Sequence, residues 1–372
     1  MTTTGVARKA RVDTENQATA PAGAKARSNA NGWRVRVEGD GTEFGVGNKD
    51  LLLMAAIQQG IDYPHNCRVG TCATCKTRLI SGKIRPLVDF ALSPLTNQEL
   101  KDGYILACQS KVMTDLVVDV HLGEHVMIPY RATAARVCGW RRLPGEVIDL
   151  RLRMEAPFPY LAGQYCLLAE SGSYVRRAFS FYDAPPDPDG QGAQELGFLI
   201  KRLPGGAFSE WLYAKDRSGT KFWVHGPQGR MGLDDVDRDA ICVAGSTGIA
   251  PILSIIADRL QRSASARFTV VFGVRTAADL FAMDKLEALE QSAPGRVRVL
   301  PILSHEPPRS DWTGRRGLVT DAIDELLGID YFETAAFICG NLPMVEAVES
   351  RLLQLGVEEE RIHADKFIPT GL

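Results

Sequence analysis

Three cysteines crowd into nine residues, in the run Cys67-Arg-Val-Gly-Thr-Cys72-Ala-Thr-Cys75, and a fourth, Cys108, stands alone much later. A loop this short cannot bury three thiols without a reason, and the fold must bring Cys108 back onto it. The residues between them are suited to tight wrapping. Gly70 and the small Ala73 and Thr74 let backbone amides point at sulfur and stabilise its negative charge, and Arg68 adds positive charge at the same place.

Cys-x4-Cys-x2-Cys with a distant fourth Cys is the spacing that holds two irons bridged by two sulfides, since each iron needs two further thiolates. Cys67, Cys72, Cys75 and Cys108 are therefore the expected ligands of a [2Fe-2S] cluster. Structural zinc and a disulfide are the competing readings. Zinc motifs usually come as paired Cys-x2-4-Cys units, whereas here the last ligand is isolated.

A chain of 372 residues suggests two or three domains. Its formal net charge of −2 leaves no nucleic-acid footprint, and no apolar run approaches the roughly 20 residues of a membrane span. Cys138, Cys166, Cys242 and Cys339 are scattered singly in apolar contexts, as reduced thiols of a cytoplasmic protein would be. Residues 1–32 are Ala- and Thr-rich, with five basic residues against two acidic. They lack the apolar region of a secretory signal, and a transit peptide is only weakly suggested. A disordered tail is expected there.

Three segments follow. In residues 33–125, Trp33–Glu38 alternates as a strand, Asp40-Gly41 makes a hairpin turn, and Asp50 can cap a helix over Leu51–Gln59 that Gly60 ends. Thr77–Ile80 is the strand after the cysteine loop. This predicts a small mixed sheet packed on one helix. Residues 126–233 read as strands and turns of a small antiparallel barrel. Residues 234–372 alternate strand and helix as a parallel α/β domain. Its strands are expected at Ala240–Ala244, Phe268–Gly273, Val297–Leu303 and Ala335–Gly340, and its helices at Pro251–Leu260, Ala277–Leu289 and Met344–Leu355.

Four further motifs carry chemistry. In Arg177-Ala-Phe179-Ser180, an Arg can hold a flavin phosphate, an aromatic can lie against the ring, and a Ser can hydrogen-bond a ring nitrogen. In Lys201-Arg-Leu-Pro-Gly205-Gly206-Ala-Phe-Ser209, two glycines before a helix start can offer amides to a pyrophosphate. Gly245-Ser-Thr247-Gly248-Ile-Ala-Pro251 lies between strand and helix and lacks the usual Gly-x-Gly-x-x-Gly, yet lets a nucleotide phosphate approach a helix N-terminus. Cys339-Gly340-Asn341-Leu-Pro343-Met344 ends a later strand in the same way, so both should fall on one edge of the sheet.

Taken in order, these motifs resemble the ferredoxin-linked reductases of bacterial multicomponent oxygenases over the whole of residues 33–368. The resemblance implies a multidomain fold: an α+β β-grasp ferredoxin, an antiparallel β-barrel flavin domain, and an α/β parallel-sheet nicotinamide domain. It implies an NADH-dependent oxidoreductase that passes electrons through FAD to the [2Fe-2S] cluster and on to a terminal oxygenase, Rieske or di-iron. By the same resemblance Ser180 and Cys339 lie near the flavin N5 and the nicotinamide C4, and Phe367 is the C-terminal aromatic that covers the flavin. Phe179 stands where the family has Tyr, which keeps stacking and loses a hydroxyl contact. Ala73 stands where many relatives have Gly.

The choice of nicotinamide turns on Ser304-His305-Glu306, where Glu306 would repel a 2′-phosphate. NADH is favoured, and Arg275 keeps NADPH as the less favoured alternative. His121-Leu-Gly-Glu-His125 and Glu360-Arg-Ile-His363 are each too sparse for a metal site, so the oxygenase centre belongs to a partner. Charges in residues 33–125 nearly balance, so a brief encounter without strong steering is expected. A different electron acceptor, and a redox sensor that does not turn over, are the competing functions.

Overall fold

The computed structural model describes residues 32–39, 41–65, 68–71, 73–123, 128–173, 175–186, 192–232 and 236–367. The expected N-terminal tail, Asp40, Cys67, Cys72 and His125 lie outside these residues.

The first unit is a five-stranded mixed sheet in the order β2-β1-β7-β3-β5. Its elements are β1 (Trp33–Val37), β2 (Glu43–Val46), α1 (Leu52–Gln58), β3 (Lys76–Ser81), β4 (Ile84–Pro86), α2 (Asn97–Lys101), β5 (Tyr104–Leu106), β6 (Ser110–Val112) and β7 (Leu116–Asp119). The alternation in β1 buries Val35 and Val37, and α1 covers that face with Leu52, Leu53, Ala56 and Ile57. Each of these Val, Leu and Ile side chains contributes about 1.5–3 kcal/mol of burial. Gly60 at φ 74 ends α1 as expected, and Gly60 N–H and Ile61 N–H return to Ile57 O and Ala56 O. Asp50 does not cap α1. The helix starts one residue later than expected, with Leu51 at the cap position and no side-chain cap.

The second unit is a six-stranded antiparallel sheet in the order β11-β10-β13-β8-β9-β12. It comprises β8 (Arg131–Leu143), β9 (Val147–Phe158), β10 (Tyr165–Glu170), β11 (Arg177–Ser180), β12 (Ala193–Lys201), α3 (Ala207–Ala214) and β13 (Lys221–Gln228). The sheet curls on itself. Just past β11, Tyr182 N–H donates to Gly197 O of β12 at 3.2 Å, so the two edges meet. Cys138, expected in an apolar setting, is exposed on β8. It falls where β8 slips register against β9 between Val137 and Gly139, which turns the side chain outward.

The third unit is a six-stranded parallel sheet in the order β17-β16-β15-β14-β18-β19. Its elements are β14 (Ala240–Gly245), α4 (Ile249–Arg262), β15 (Phe268–Val274), α5 (Met283–Ser292), β16 (Val297–Leu303), β17 (Arg315–Arg316), α6 (Val319–Asp324), β18 (Ala335–Asn341), α7 (Leu342–Leu355) and β19 (Ile362–Phe367). Chain order reverses at β14, which has β15 on one side and β18 on the other. The helix expected over Ala277–Leu289 is instead a 3-10 turn at Ala277–Asp279 followed by α5. The reason is local. Asp279 accepts from Thr276 N and Oγ1 at 3.1 and 2.9 Å, closing a tight turn, and Ala282 takes a left-handed φ of 59° before α5 begins. No helix among the described residues is long and apolar enough to cross a membrane.

Candidate functional site

Cys75 ends the cysteine loop just before β3, and Cys108 sits in a 3-10 turn after β5. Pairing of Lys76 with Leu106 brings the two segments together. Both thiols are buried, and Cys108 N–H points at Cys75 Sγ at 3.5 Å. Gln109 Nε2 donates to Cys108 Sγ at 3.8 Å and to Arg68 O at 3.0 Å, tying the turn to the loop. Arg68, Gly70 and Ala73 all have positive φ, at 56°, 87° and 58°. Such repeated left-handed residues curl a backbone into a concave set of amides that favours anionic sulfur. Cys67 and Cys72 lie outside the described residues. The described half of the ligand set fits a cluster of thiolates.

In the barrel, Arg177, Phe179 and Ser180 share β11, which pairs with β10 so that Tyr165 faces Ser180. Ser180 is buried, and Phe179 packs 5.4 Å from the Phe208 ring at the start of α3. Gly206 caps α3 without a side-chain bond, and a Cβ there would come within 2.7 Å of Ser209 Oγ. The expectation that Gly205 and Gly206 both offer their amides needs correction. Gly206 N–H bonds Leu203 O at 2.9 Å, and Gly205 N–H bonds Glu210 Oε1 at 3.2 Å. The turn consumes its own donors because Ser209 Oγ, which accepts from Leu203 N–H at 3.0 Å, draws it closed. Lys201 pairs with Asp279 of the third unit at 3.5 Å.

Gln228 carries a signal that the sequence reading missed. It ends β13 opposite Tyr165, is 1% exposed, and neither its amide oxygen nor its nitrogen has a partner among the described residues. An orphaned buried amide costs about 1–3 kcal/mol unless something fills the space beside it. This fits a ring system carrying both donors and acceptors, as FAD does.

The nicotinamide motifs converge at the reversal of strand order, where ligands of open α/β sheets bind. Gly245 ends β14, and Cys339 and Gly340 end β18. Met344 reaches across both, 2.6 Å from where a Cβ on either Gly245 or Gly340 would stand. Gly248 approaches so closely that a Cβ would overlap the Cys339 carbonyl. Thr247 lies in the turn between β14 and α4, and Pro251 falls in the first turn of α4. Asn341 caps α7 by accepting from Met344 N–H at 3.0 Å, with Pro343 in its first turn. Ser246, also missed, is held at φ 52° with a buried hydroxyl that has no partner among the described residues. Cys339 is fully buried, and that burial pushes its thiol well up, so it stays protonated.

At the far end of β15 and β16, Ser304 Oγ and His305 Nδ1 are 2.8 Å apart. Glu306 Oε2 accepts from Ala277 N–H at 2.7 Å, and hydrogen bonds from Ser310 and from that amide hold its carboxyl below the usual range. Arg275 is exposed beside them. Phe367 is the last described residue. It pairs with Asn341 at the end of β19, a strand the sequence reading did not foresee, and packs partly buried on the central core.

All three units meet at one cavity of about 590 Å³, bordered by Thr74 of the cysteine loop, Tyr165 and Met231 of the barrel, and His363 and Asp365 of β19. His65 also faces it. Its Nδ1 lies 2.7 Å from Tyr63 O, so that nitrogen donates, and the buried Nε2 is left an acceptor with no partner among the described residues. Burial lowers the His65 pKa to about 4 and raises that of Asp365 to about 6, the latter opposed by Arg68.

Residues 35–113 match the 2Fe-2S iron-sulfur cluster binding domain, and residues 242–350 match the oxidoreductase NAD-binding domain. The xylene/toluene monooxygenase electron transfer component XylA of Pseudomonas putida is 36% identical over 90% of this chain and 93% of its own length. The chain belongs to the ferredoxin–NAD(P)H reductase components of bacterial oxygenase systems. The ferredoxin–NAD(+) reductase component of the alkene monooxygenase system of Xanthobacter autotrophicus is 33% identical, covering 88% of the reductase and 99% of that protein. The solved ferredoxin reductase in carbazole 1,9a-dioxygenase superposes with a TM-score of 0.70 at 26% identity, over 90% of the reductase and 98% of that chain. The reductase is thus an oxidoreductase with [2Fe-2S], FAD and nicotinamide sites.

Proposed function

We propose that the reductase draws electrons from NADH and delivers them singly to the terminal oxygenase of a multicomponent system, of Rieske or di-iron type, in the cytoplasm. Bound FAD supplies the conversion of a two-electron hydride into single electrons, and the [2Fe-2S] cluster supplies a one-electron outlet. The observation that carries this reading is the cavity where cysteine loop, barrel and β19 converge. Names of relatives such as the xylene/toluene and alkene monooxygenase components support an oxygenase as the acceptor.

The residues take roles by chemistry. Cys67, Cys72, Cys75 and Cys108 hold the cluster. Arg177 and Lys201 flank the flavin phosphates, with Lys201 exchanging Asp279 for phosphate, and Gly205, Gly206 and Ser209 shape the closed turn beside them. Phe179 and Phe367 cover the ring, and Ser180 presents a hydroxyl to it. Gly245, Thr247, Gly248 and Pro251, with Gly340, Asn341, Pro343 and Met344, form the nicotinamide cleft, and the protonated Cys339 lines it. Ionised Glu306 beside Ser304 and Arg275 disfavours a 2′-phosphate and supports NADH. Domain divisions at 32/33, 125/126 and 233/234 accompany this reading.

Anaerobic mixing of the holoprotein with NADH tests it. Cluster absorption should bleach and cytochrome c should be reduced, faster than with NADPH. A holoprotein that reduces neither dye nor cytochrome with NADH rejects the reading.

A further inference from the structure

The ferredoxin unit meets the barrel through a small set of polar groups. Asp62, in the turn after α1, has a side chain only 1% exposed, and its Oδ1 lies 2.7 Å from Arg230 Nε of the barrel. Gly123, just past β7, closes over this pair. Its amide donates to Asp62 O at 2.8 Å, and a Cβ there would overlap both Asp62 Oδ2 and Arg230 Nη2. Alongside, the Arg68 guanidinium lies 5.3 Å over the Tyr165 ring. Arg68 belongs to the cysteine loop, and Tyr165 is the strand neighbour of Ser180. The pair and the stack together press the cluster loop against the strands that carry the flavin residues.

Asp62 is buried while the Arg230 side chain is 30% exposed, so the pair adds little net stability because desolvation offsets attraction, and it is loss of Arg230 that would leave a buried charge uncompensated. What such a pair does well is fix one geometry out of many. Electron transfer falls steeply with separation, so geometry sets its rate.

We propose that Asp62 and Arg230 form a latch that seats the ferredoxin unit on the flavin barrel, and that Asp62 is a positioning residue for electron delivery to the cluster. This rests on the flavin-to-cluster path proposed above. With flavin and cluster bound, reduced flavin would supply the cluster with single electrons, and Asp62 and Arg230 would fix the separation of the two units that hold them.

The test uses the full-length holoprotein and the variants Asp62→Asn and Gly123→Ala. The first removes a charge, and the second wedges the pair while leaving both charges in place. In single-turnover mixing with NADH, both should slow cluster bleaching by about tenfold to a hundredfold, the upper figure being the scale of an ångström misplacement. NADH-to-ferricyanide reduction should stay at the wild-type rate. Hydrogen exchange in the peptide containing Gly123 should speed up in both. Wild-type bleaching rates and wild-type exchange in variants with full cluster content overturn the latch. Should Asp62→Asn lose its cluster, Gly123→Ala decides alone. Failure of the wild-type cluster to bleach while ferricyanide is reduced would reject the electron path itself, a result distinct from failure of the latch.

Discussion

The two seams of this reductase are built differently. Barrel and nicotinamide unit share one apolar core, in which Val147, Ala162, Tyr182, Leu199 and Met231 of the barrel pack with Ile252, Ile255, Phe272 and Phe281 of the other. Polar contacts reinforce it. Ser254 Oγ donates to Asp183 O at 2.6 Å, and Lys285 Nζ lies 4.6 Å from the Tyr182 ring. The ferredoxin unit has a separate core, with Tyr130 as the barrel-side residue that leans on it. Among the described residues its seam is largely polar and local, with the Asp62–Arg230 ion pair, the Arg68–Tyr165 stack and Gly123 closing over the pair. Shared apolar area makes two units stand or fall together, whereas a polar seam fixes orientation with little cohesion. Hydride chemistry needs flavin and nicotinamide held in one body. A one-electron outlet needs only correct seating.

That contrast can be broken most severely at the cluster. Cys108→Ser should abolish cluster absorption and cytochrome c reduction while ferricyanide reduction by NADH continues. Loss of both activities in a folded, flavin-bound variant would show that the two sides are not separate stations. Next in size is Ile255→Ala. Ile255 is fully buried in the shared core and touches the Gly163 and Gly232 backbone region. Its truncation should cost about 2–5 kcal/mol. Calorimetry should show flavin release and nicotinamide-unit unfolding shifting down together, with cluster loss unshifted. Independent shifts would break the shared-body picture.

Asp365 sharpens the comparison where all three units meet. Burial raises its pKa from 3.8 to about 6. The folded state therefore holds the proton more tightly than the unfolded state, and stability falls as pH rises from about 4 to about 6. The loss is at most about 3 kcal/mol. Asp365→Asn should flatten that slope in denaturant titrations and be the more stable form at pH 7. An unchanged slope would mean that Asp365 is solvated. The smallest effect is expected in the choice of nicotinamide. Glu306→Ala should raise kcat/KM for NADPH relative to NADH by about tenfold, or ~1.4 kcal/mol. No change would remove Glu306 from the choice of nicotinamide.

Much of this was legible before any fold was known. The cysteine spacing encodes a ligand set because metal geometry acts over a few residues. The Gly245 and Cys339 runs were legible for a similar reason, since a close backbone approach needs glycine locally. Capping was less legible. Asp50 looked like a helix cap, yet Leu51 holds that position, and Ala277–Asp279 became a turn because Thr276 and Asp279 bond each other. Nothing local marks β19 as a strand. Ile362–Phe367 pairs only because β18 offers an open edge. The expectation for Gly205 and Gly206 failed because Leu203, Ser209 and Glu210 compete for the same donors.

The sequence by itself determined the order of stations and the residue types at each, because spacing, glycine and thiol chemistry are short-range properties of the chain. Tertiary structure alone decided that Asp62 finds Arg230, that the Gln228 amide and the Ser246 hydroxyl are buried with no partner among the described residues, and that two of three units share a core. Those outcomes depend on which surfaces meet across long separations, and no local pattern records the meeting.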